Sequence, residues 1–251
     1  MRLDTYIHRL GFVPSREKAK RLIEDGFVSV NGVVVEKPAF LVDDGDDITV
    51  TDSPELRYVS RGGLKLEAAL DEFEINVLGL CAIDIGASTG GFTDCLLKRG
   101  AAHVWAVDSG HDQLAQVLRD DPRVTSLEGV NARSLTADDI GQLCDIAVMD
   151  VSFISQTLLY ETATNLLMPE GILISLVKPQ FEVGRDKIGK GGIVRDVSAS
   201  KNAIFECINS AKKHGLECLG VIDSPIEGGD GNREYLAMFR LGGKHQPRNN
   251  M

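Results

Sequence analysis

The chain has 251 residues, enough for one large domain or for a large and a small one. Its apolar fraction of 43% is that of an ordinary globular protein, and its net charge of −10 excludes a wholesale nucleic-acid coat, so any RNA contact must come from a local basic patch. Five scattered cysteines, at 81, 95, 144, 207 and 218, form no C-x-x-C pair and read as small buried hydrophobes of a reducing cytosol, not as a disulfide frame or zinc site, and no metal is assigned.

The first fourteen residues carry Arg2, Asp4, His8 and Arg9 and lack the apolar core of a signal peptide. No apolar run approaches the roughly 20 residues of a membrane span, so a cytoplasmic protein with no membrane partner is expected. Leu3, Ile7 and Leu10 recur at helical spacing, and Gly11 ends that helix. Pro14-Ser15 opens a second helix, with Ala19, Leu22 and Ile23 facing inward and Gly26 as its stop. Strands at 27–30 and 33–35 flank Asn31-Gly32, a strong hairpin signal. An acidic loop at 43–47 precedes a last short strand at 48–50. Residues 1–56 thus read as a small α+β unit. Its cations are polarised: Arg2, Arg9, Arg16, Lys18, Lys20 and Arg21 lie in the two helices, away from the acidic loop. Such a face is an electrostatic footprint for phosphate, with a merely solvated helix face as the alternative.

Residues 57–63, with Ser60-Arg61-Gly62-Gly63, read as a glycine-containing linker. A helix over 64–73 follows, with Leu66, Ala69 and Leu70 inside and Lys65 on it. Beyond it the pattern alternates: strands at 81–85, 103–107, 124–127, 145–149 and 172–177, and helices near 91–99, 111–119, 155–167 and 199–214. This is the signature of a doubly wound parallel sheet. Two more strands, at 218–222 and 235–240, are separated by too few residues for a helical crossover, so the last is expected to run antiparallel. This second domain spans 64–243, with a flexible tail over 244–251.

The stretch Asp84-Ile-Gly86-Ala87-Ser88-Thr89-Gly90-Gly91 joins the first strand of that sheet to its helix. It is not the G-x-G-x-x-G of a dinucleotide site. Asp84 and Asp108 fit a ligand that combines a cationic group with a ribose diol, as S-adenosylmethionine does; a purely structural turn is the alternative. Ser88 and Thr89 are placed to cap the helix. In such sheets ligands sit outside the carboxyl ends of the strands, where Asp84, Asp108, Asp150 and Lys178 fall. Glu234 opens the reversed strand and reaches the same edge, while pattern alone does not place Lys65. The segment 184–196, with Arg185, Lys187, Lys190 and Arg195, reads as a mobile loop that gathers RNA phosphate, or equally as a solvated loop.

Two resemblances span nearly the whole chain. Arg2-Leu-Asp-x-x-Ile, Ser15-Arg-x-x-Ala19, Leu22-Ile-x-x-Gly26-x-Val28-x-Val-Asn-Gly32 and Asp46-x-Ile48 resemble the alpha-L RNA-binding domain. Lys65, Asp150, Lys178 and Glu234, in Gly62-Gly-Leu-Lys-Leu-Glu67, Val148-Met-Asp-Val-Ser-Phe-Ile154, Leu176-Val-Lys-Pro-Gln-Phe-Glu182 and Gly231-Asn-Arg-Glu-Tyr235, resemble the K-D-K-E tetrad of FtsJ-like RNA 2′-O-ribose methyltransferases. Together they are similar to the hemolysin A (TlyA) family. The resemblance implies a seven-stranded, Rossmann-like S-adenosylmethionine-dependent methyltransferase sheet with a reversed last strand. It implies 2′-O-methylation of ribosomal RNA, at cytidine, with ribosomal RNA or ribosomal subunits as partners and a monomer or weak homodimer as the working form. Lys65, Asp150, Lys178 and Glu234 become the catalytic candidates. Asp84, Gly86, Ala87, Ser88, Thr89, Gly90, Gly91, Asp108, Ser109, Asn131 and Asp150 become those for the cofactor, with Asn131 at the adenine; Arg61 joins the basic residues assigned to RNA. A 2′-hydroxyl must lose its proton as it attacks the methyl, and a lysine amine is ordinarily charged at neutral pH. Burial or a second ammonium would favour its neutral form. Two plain Lys–carboxylate salt bridges would satisfy the same spacing. A non-catalytic RNA-binding protein and a membrane-active hemolysin are the other readings.

Overall fold

The computed structural model describes residues 1–13, 15–51, 53–184 and 187–243. Arg185 and the expected tail over 244–251 lie outside the described residues. The chain forms two compact units, Met1–Tyr58 and Val59–Met251.

The small unit contains α1 (Leu3–Arg9), α2 (Arg16–Glu24), β1 (Val28–Val30), β2 (Val33–Val34), β3 (Ile48–Val50) and the single turn α3 (Pro54–Arg57). Its sheet has the order β2-β1-β3, antiparallel throughout. Asn31 and Gly32 both take positive φ, 51° and 78°, as a tight turn matched to strand twist requires. The Asn31 amide also donates to Asp46 at 2.8 Å and accepts from the Asp47 N–H at 2.9 Å, which ties the acidic loop to the hairpin. Leu3, Ile7, Ala19, Leu22, Ile23 and Val28 fill the core. Leu10 does not join them and is 56% exposed: α1 stops at Arg9, and Leu10 is its C-cap.

Asp4, buried on α1, anchors this unit. It accepts two bonds from Arg2 at 3.1 and 2.9 Å, two from Arg16 at 3.3 and 3.2 Å, and the Thr5 N–H at 2.7 Å. The Arg2 guanidinium, foremost, holds the Asp4 carboxyl far below the usual carboxylate range. A lowered carboxyl stabilises the fold above the unfolded-state pKa of about 4, and that contribution fades as pH falls below it. Asp4→Asn is therefore expected to melt at a lower temperature than wild type at pH 7, with the gap closing on acidification below about pH 4. A gap that does not change with pH, in melts followed by circular dichroism, would contradict this.

The large unit runs α4 (Gly62–Glu72), β4 (Cys81–Ile85), α5 (Gly91–Lys98), β5 (His103–Asp108), α6 (Gln116–Arg119), β6 (Val124–Glu128), α7 (Ala137–Ile140), β7 (Cys144–Met149), α8 (Tyr160–Leu166), β8 (Leu167–Val177), α9 (Pro179–Glu182), α10 (Val197–Lys213), β9 (Leu216–Asp223) and β10 (Tyr235–Leu241). The sheet order is β6-β5-β4-β7-β8-β10-β9. β10 is antiparallel to both neighbours, and the remaining pairs are parallel. This is the expected seven-stranded sheet with a reversed last strand. Chain direction across the sheet switches between β4 and β7, where doubly wound folds open a ligand crevice. Among the described residues no helix is long and apolar enough to cross a membrane.

Three expectations are corrected. The helix expected over 111–119 shrinks to Gln116–Arg119. Asp112 has φ +55°, and the Gln113 and Leu114 N–H groups donate to the Glu128 carboxylate at 2.7 and 3.0 Å, which removes them from any helical ladder. β8 begins at Leu167, five residues early, and a register shift against β7 absorbs the extra chain. The stretch expected as a 57–63 linker divides between the units: Arg57 closes α3, while Gly62 and Gly63 form the first turn of α4. The Val59 N–H donates to Asp94 at 2.8 Å, so this segment belongs to the large unit. The glycines serve close packing. A Cβ on Gly91 would stand 2.9 Å from the Gly63 nitrogen and 3.2 Å from the Gly62 Cα. Without side chains there, α4 sits against α5 and carries Lys65 inward.

Candidate active site

The first strand-to-helix turn is built around Asp84, fully buried at the end of β4. One of its oxygens accepts the Thr93 N–H at 2.9 Å and the Thr93 hydroxyl at 2.7 Å. Asp84 thus caps α5 from the neighbouring strand. Ser88 and Thr89, expected as caps, do not do so: the N-cap is Gly90, at φ +95°, and it has no side-chain cap. The other Asp84 oxygen is buried without a hydrogen-bond partner among the described residues. Burial, first, and the nearby charges of Asp150 and Asp108 push the Asp84 carboxyl up to about 7, against the bonds from Thr93. A buried, half-satisfied acid is the complement of a cation or a strong donor.

The turn lies close to the chain after β7. The Asp150 N–H donates to the Ile85 carbonyl at 3.0 Å. Gly86 has φ +88°, and a Cβ there would press on the Asp150 carbonyl carbon at 2.9 Å, so only glycine lets these two strand ends meet. Asp108, at the end of β5, accepts the Ser88 N–H at 2.8 Å and the Gly110 N–H at 2.7 Å, one on each oxygen. Asn131 uses its carbonyl to accept the Arg133 N–H at 3.1 Å, starting a short 3-10 turn.

A cavity of about 480 Å³ opens over these strand ends. Of the sequence-predicted cofactor residues, Gly86, Ser88, Asp108, Ser109, Asn131 and Asp150 line it. Asp84, Ala87, Thr89, Gly90 and Gly91 shape the turn without lining the cavity. Val107, Val130, Leu159 and Ile85 supply its apolar wall. Its size and its mixed lining, acids on an apolar wall, suit a small molecule with a polar rim.

The four catalytic candidates form two short ion pairs. The Lys178 amine lies 2.5 Å from Asp150 Oδ1 and donates to the Ser152 hydroxyl at 2.9 Å. The Lys65 amine lies 2.5 Å from Glu234 Oε2, and both side chains are at most 10% exposed. Lys65 shares the inward face of α4 with Leu66, Ala69 and Leu70, so burial carries the ammonium into the fold and Glu234 compensates it. The sheet register brings the pairs to one edge. Tyr235 faces Val177 at the end of the β10–β8 ladder, with Glu234 just before the one and Lys178 just after the other.

Two further residues near Lys178 belong to this edge, and neither stands out in the sequence as a site residue. Phe153 lines the cavity mouth, is 93% exposed and takes φ +64°, with its ring 5.2 Å from that of Phe181. A large aromatic held in a disfavoured backbone conformation and left in solvent is a contact surface in search of a partner. Glu182 accepts the Ser155 hydroxyl at 2.6 Å and the Gln156 N–H at 2.9 Å, so α9, directly after Lys178, holds the loop that follows Asp150. The acid in Pro-Gln-Phe-Glu182 is plain in the sequence, but its partners lie 26 and 27 residues away.

The basic candidates of the small unit are more engaged than their sequence positions suggest. Arg2 and Arg16 hold Asp4 but keep side chains 46% and 56% exposed. Arg21 pairs with Glu17 at 2.9 Å and Lys20 with Glu24 at 3.7 Å, exposed helical pairs of small worth. Lys18 donates to the Tyr58 carbonyl at 2.6 Å. Arg9 is exposed, and Arg61 is half-buried at the start of α4. Lys187, Lys190 and Arg195 are exposed.

Residues 58–241 match the FtsJ-like methyltransferase family, and residues 1–48 match the S4 domain. The chain is 43% identical over 239 residues to the 16S/23S rRNA (cytidine-2′-O)-methyltransferase TlyA of Mycobacterium tuberculosis, covering 95% of this chain and 89% of that protein. It is 44% identical over 240 residues to Hemolysin A of Brachyspira hyodysenteriae, covering 95% and 99%. A solved Streptococcus thermophilus protein that bears a hemolysin name superposes with a TM-score of 0.77 at 42% identity, over 99% of this chain and 91% of that one.

Proposed function

The chain belongs to the FtsJ-like methyltransferase family, and we propose that it methylates the 2′-hydroxyl of ribosomal RNA, at cytidine, with S-adenosylmethionine as donor. The single observation that carries the proposal is the two lysine–carboxylate contacts, Lys65 with Glu234 and Lys178 with Asp150, the last of which also lines the cavity. The S4 domain and the relatives named as rRNA methyltransferases support RNA as substrate.

The cavity residues fit this donor. Asp108 and Asp150, which line the cavity, suit its ribose diol and its positive charge, the unpartnered oxygen of Asp84 adds an acid buried in the turn behind that lining, and Asn131 lines the cavity beside Val130. When bound, the cofactor supplies a methyl group on a positively charged sulfur. Lys178 directs the 2′-hydroxyl: its ammonium is held by the charge of Asp150 and donates to the Ser152 hydroxyl, which leaves hydrogens for the ribose oxygen. The hydroxyl proton would leave to solvent, or to Lys178 where that amine is neutral. Asp150 fixes the lysine in place. Lys65 from α4 and Glu234 from the start of the facing strand hold the ribose, and alignment of the reacting atoms supplies much of the rate. Phe153 offers a face on which the target base stacks, an interaction of about 1–3 kcal/mol per base.

Asp84 links the cofactor to pH. With its carboxyl raised to about 7, the acid is protonated below neutrality and charged above. The ligand-free fold therefore loses stability as pH rises from about 4 through 7, the range in which the unfolded chain has already released that proton. A cationic ligand reverses the preference. Cofactor binding is expected to release a proton near pH 6.5 and to tighten as pH rises through about 7. Calorimetry in buffers of differing ionisation enthalpy reads this directly. Affinity independent of pH, with no proton released, would remove Asp84 from the cation's surroundings.

The function itself is tested by transfer of labelled methyl to naked ribosomal RNA, intact subunits and tRNA. Label in ribosomal RNA or subunits is expected. Cofactor binding without transfer to any RNA would leave only an RNA-binding protein.

A further inference from the structure

Asn232 lies two residues ahead of Glu234 and is 1% exposed. Both ends of its amide go to one distant segment. Its oxygen accepts the Val194 N–H at 2.9 Å, and its nitrogen donates to the Gly192 carbonyl at 3.0 Å. Its backbone carbonyl accepts the Gly228 N–H at 2.9 Å, which closes its own loop. One buried side chain thus joins the segment leading into Glu234 to the glycine-rich segment after α9.

That second segment is a formed turn where it meets Asn232. The Gly189 N–H donates to the Ile193 carbonyl at 2.9 Å and the Gly192 N–H to the Gly189 carbonyl at 3.1 Å. Gly191 and Gly192, at φ +81° and +79°, supply the left-handed turn that brings the Gly192 carbonyl to Asn232. The turn carries Lys190 and lies between Lys187 and Arg195; all three are exposed, and Lys187 is near enough to Asp196 to help lower that carboxyl. Among the described residues, the loop expected to be mobile is held at two backbone positions by an amide that has no other task.

We propose that Asn232 is a positioning residue that fastens the basic turn beside the catalytic edge, so that Lys187, Lys190 and Arg195 meet the phosphates of the RNA strand already in place. The inference rests on the RNA reading above. An ordered turn gives up less conformational freedom on binding than a free one, so the same three charges bind more tightly.

The test is RNA binding by the full-length protein, measured with ribosomal RNA over a range of salt. Three variants are needed: Asn232→Ala, the triple Lys187→Ala/Lys190→Ala/Arg195→Ala, and all four changes together. Asn232→Ala is expected to weaken RNA binding about tenfold and to flatten the salt dependence by about 0.7 for each phosphate it leaves unneutralised, with cofactor affinity unchanged. On the triple background it is expected to add less than about twofold, because the charges it positions are already gone. Retained cofactor binding reports an intact large unit. Should Asn232→Ala not fold, Val194→Pro removes the N–H that Asn232 accepts and carries the same test. A full tenfold loss on the triple background overturns the inference, as does a triple variant that binds like wild type. Failure of the wild-type protein to bind ribosomal RNA at any salt would instead overturn the proposed function.

Discussion

Lys178→Ala is expected to lower the rate of methyl transfer by about 10²- to 10⁴-fold while leaving cofactor binding intact. Among the described residues the amine is the one cation paired with Asp150, and Asp150 lines the cavity. Its removal leaves that carboxylate without its cation and makes the cavity more negative, which favours a positively charged donor. Lost turnover could not then be laid to a lost cofactor. Lys178→Arg sharpens the test, since arginine keeps the charge but cannot give up a proton in a protein. If Lys178 only steers the hydroxyl, arginine restores part of the rate; if it takes the proton, arginine is as inactive as alanine. Lys178→Ala turning over at the wild-type rate, in single-turnover assays at saturating cofactor, would remove it from the chemistry.

Glu234→Ala is expected to cost about 3–5 kcal/mol of stability as well as activity, because it leaves the Lys65 ammonium buried without its partner. Removing both charges is different. A paired Lys65→Met/Glu234→Met variant replaces an ion pair with apolar groups of similar bulk, a change that is often neutral or stabilising. Denaturant titrations are expected to show most of the lost stability restored in the double variant, with methyl transfer still down by at least about 10²-fold. This separates a catalytic pair from a plain salt bridge. Recovery of both stability and transfer in the double variant would show that the pair only holds the fold together.

The sheet is legible in the chain because each strand is short, apolar and followed by a clear stop. The reversed last strand is legible because so short a connection cannot carry a crossover. The burial of Lys65 is not. Its helix position looks like any solvated lysine, and only the fold shows that Gly62, Gly63 and Gly91 let α4 pack closely enough to bury it. The same glycines read as a linker because a packing glycine and a flexible one are identical in sequence. Asp84 is recognisable as the acid of the turn, yet local propensity points to Ser88 and Thr89 as the caps, whereas the acid itself holds Thr93. Asn232 and Glu182 act on partners 26 to 40 residues away, a distance across which spacing rules carry no information. Phe153 reads as a core residue in any hydropathy pattern, and its exposure is a property of the loop.

The central claim is that the edge formed by Lys65, Asp150, Lys178 and Glu234 directs a ribose oxygen, and one measurement addresses the atom itself. Ribosomal RNA labelled by the protein and its methyl donor is hydrolysed in alkali, which cleaves only next to a free 2′-hydroxyl. Label in alkali-resistant dinucleotides is the predicted result. Label in mononucleotides would place the methyl on a base and contradict the assignment of this edge to the ribose.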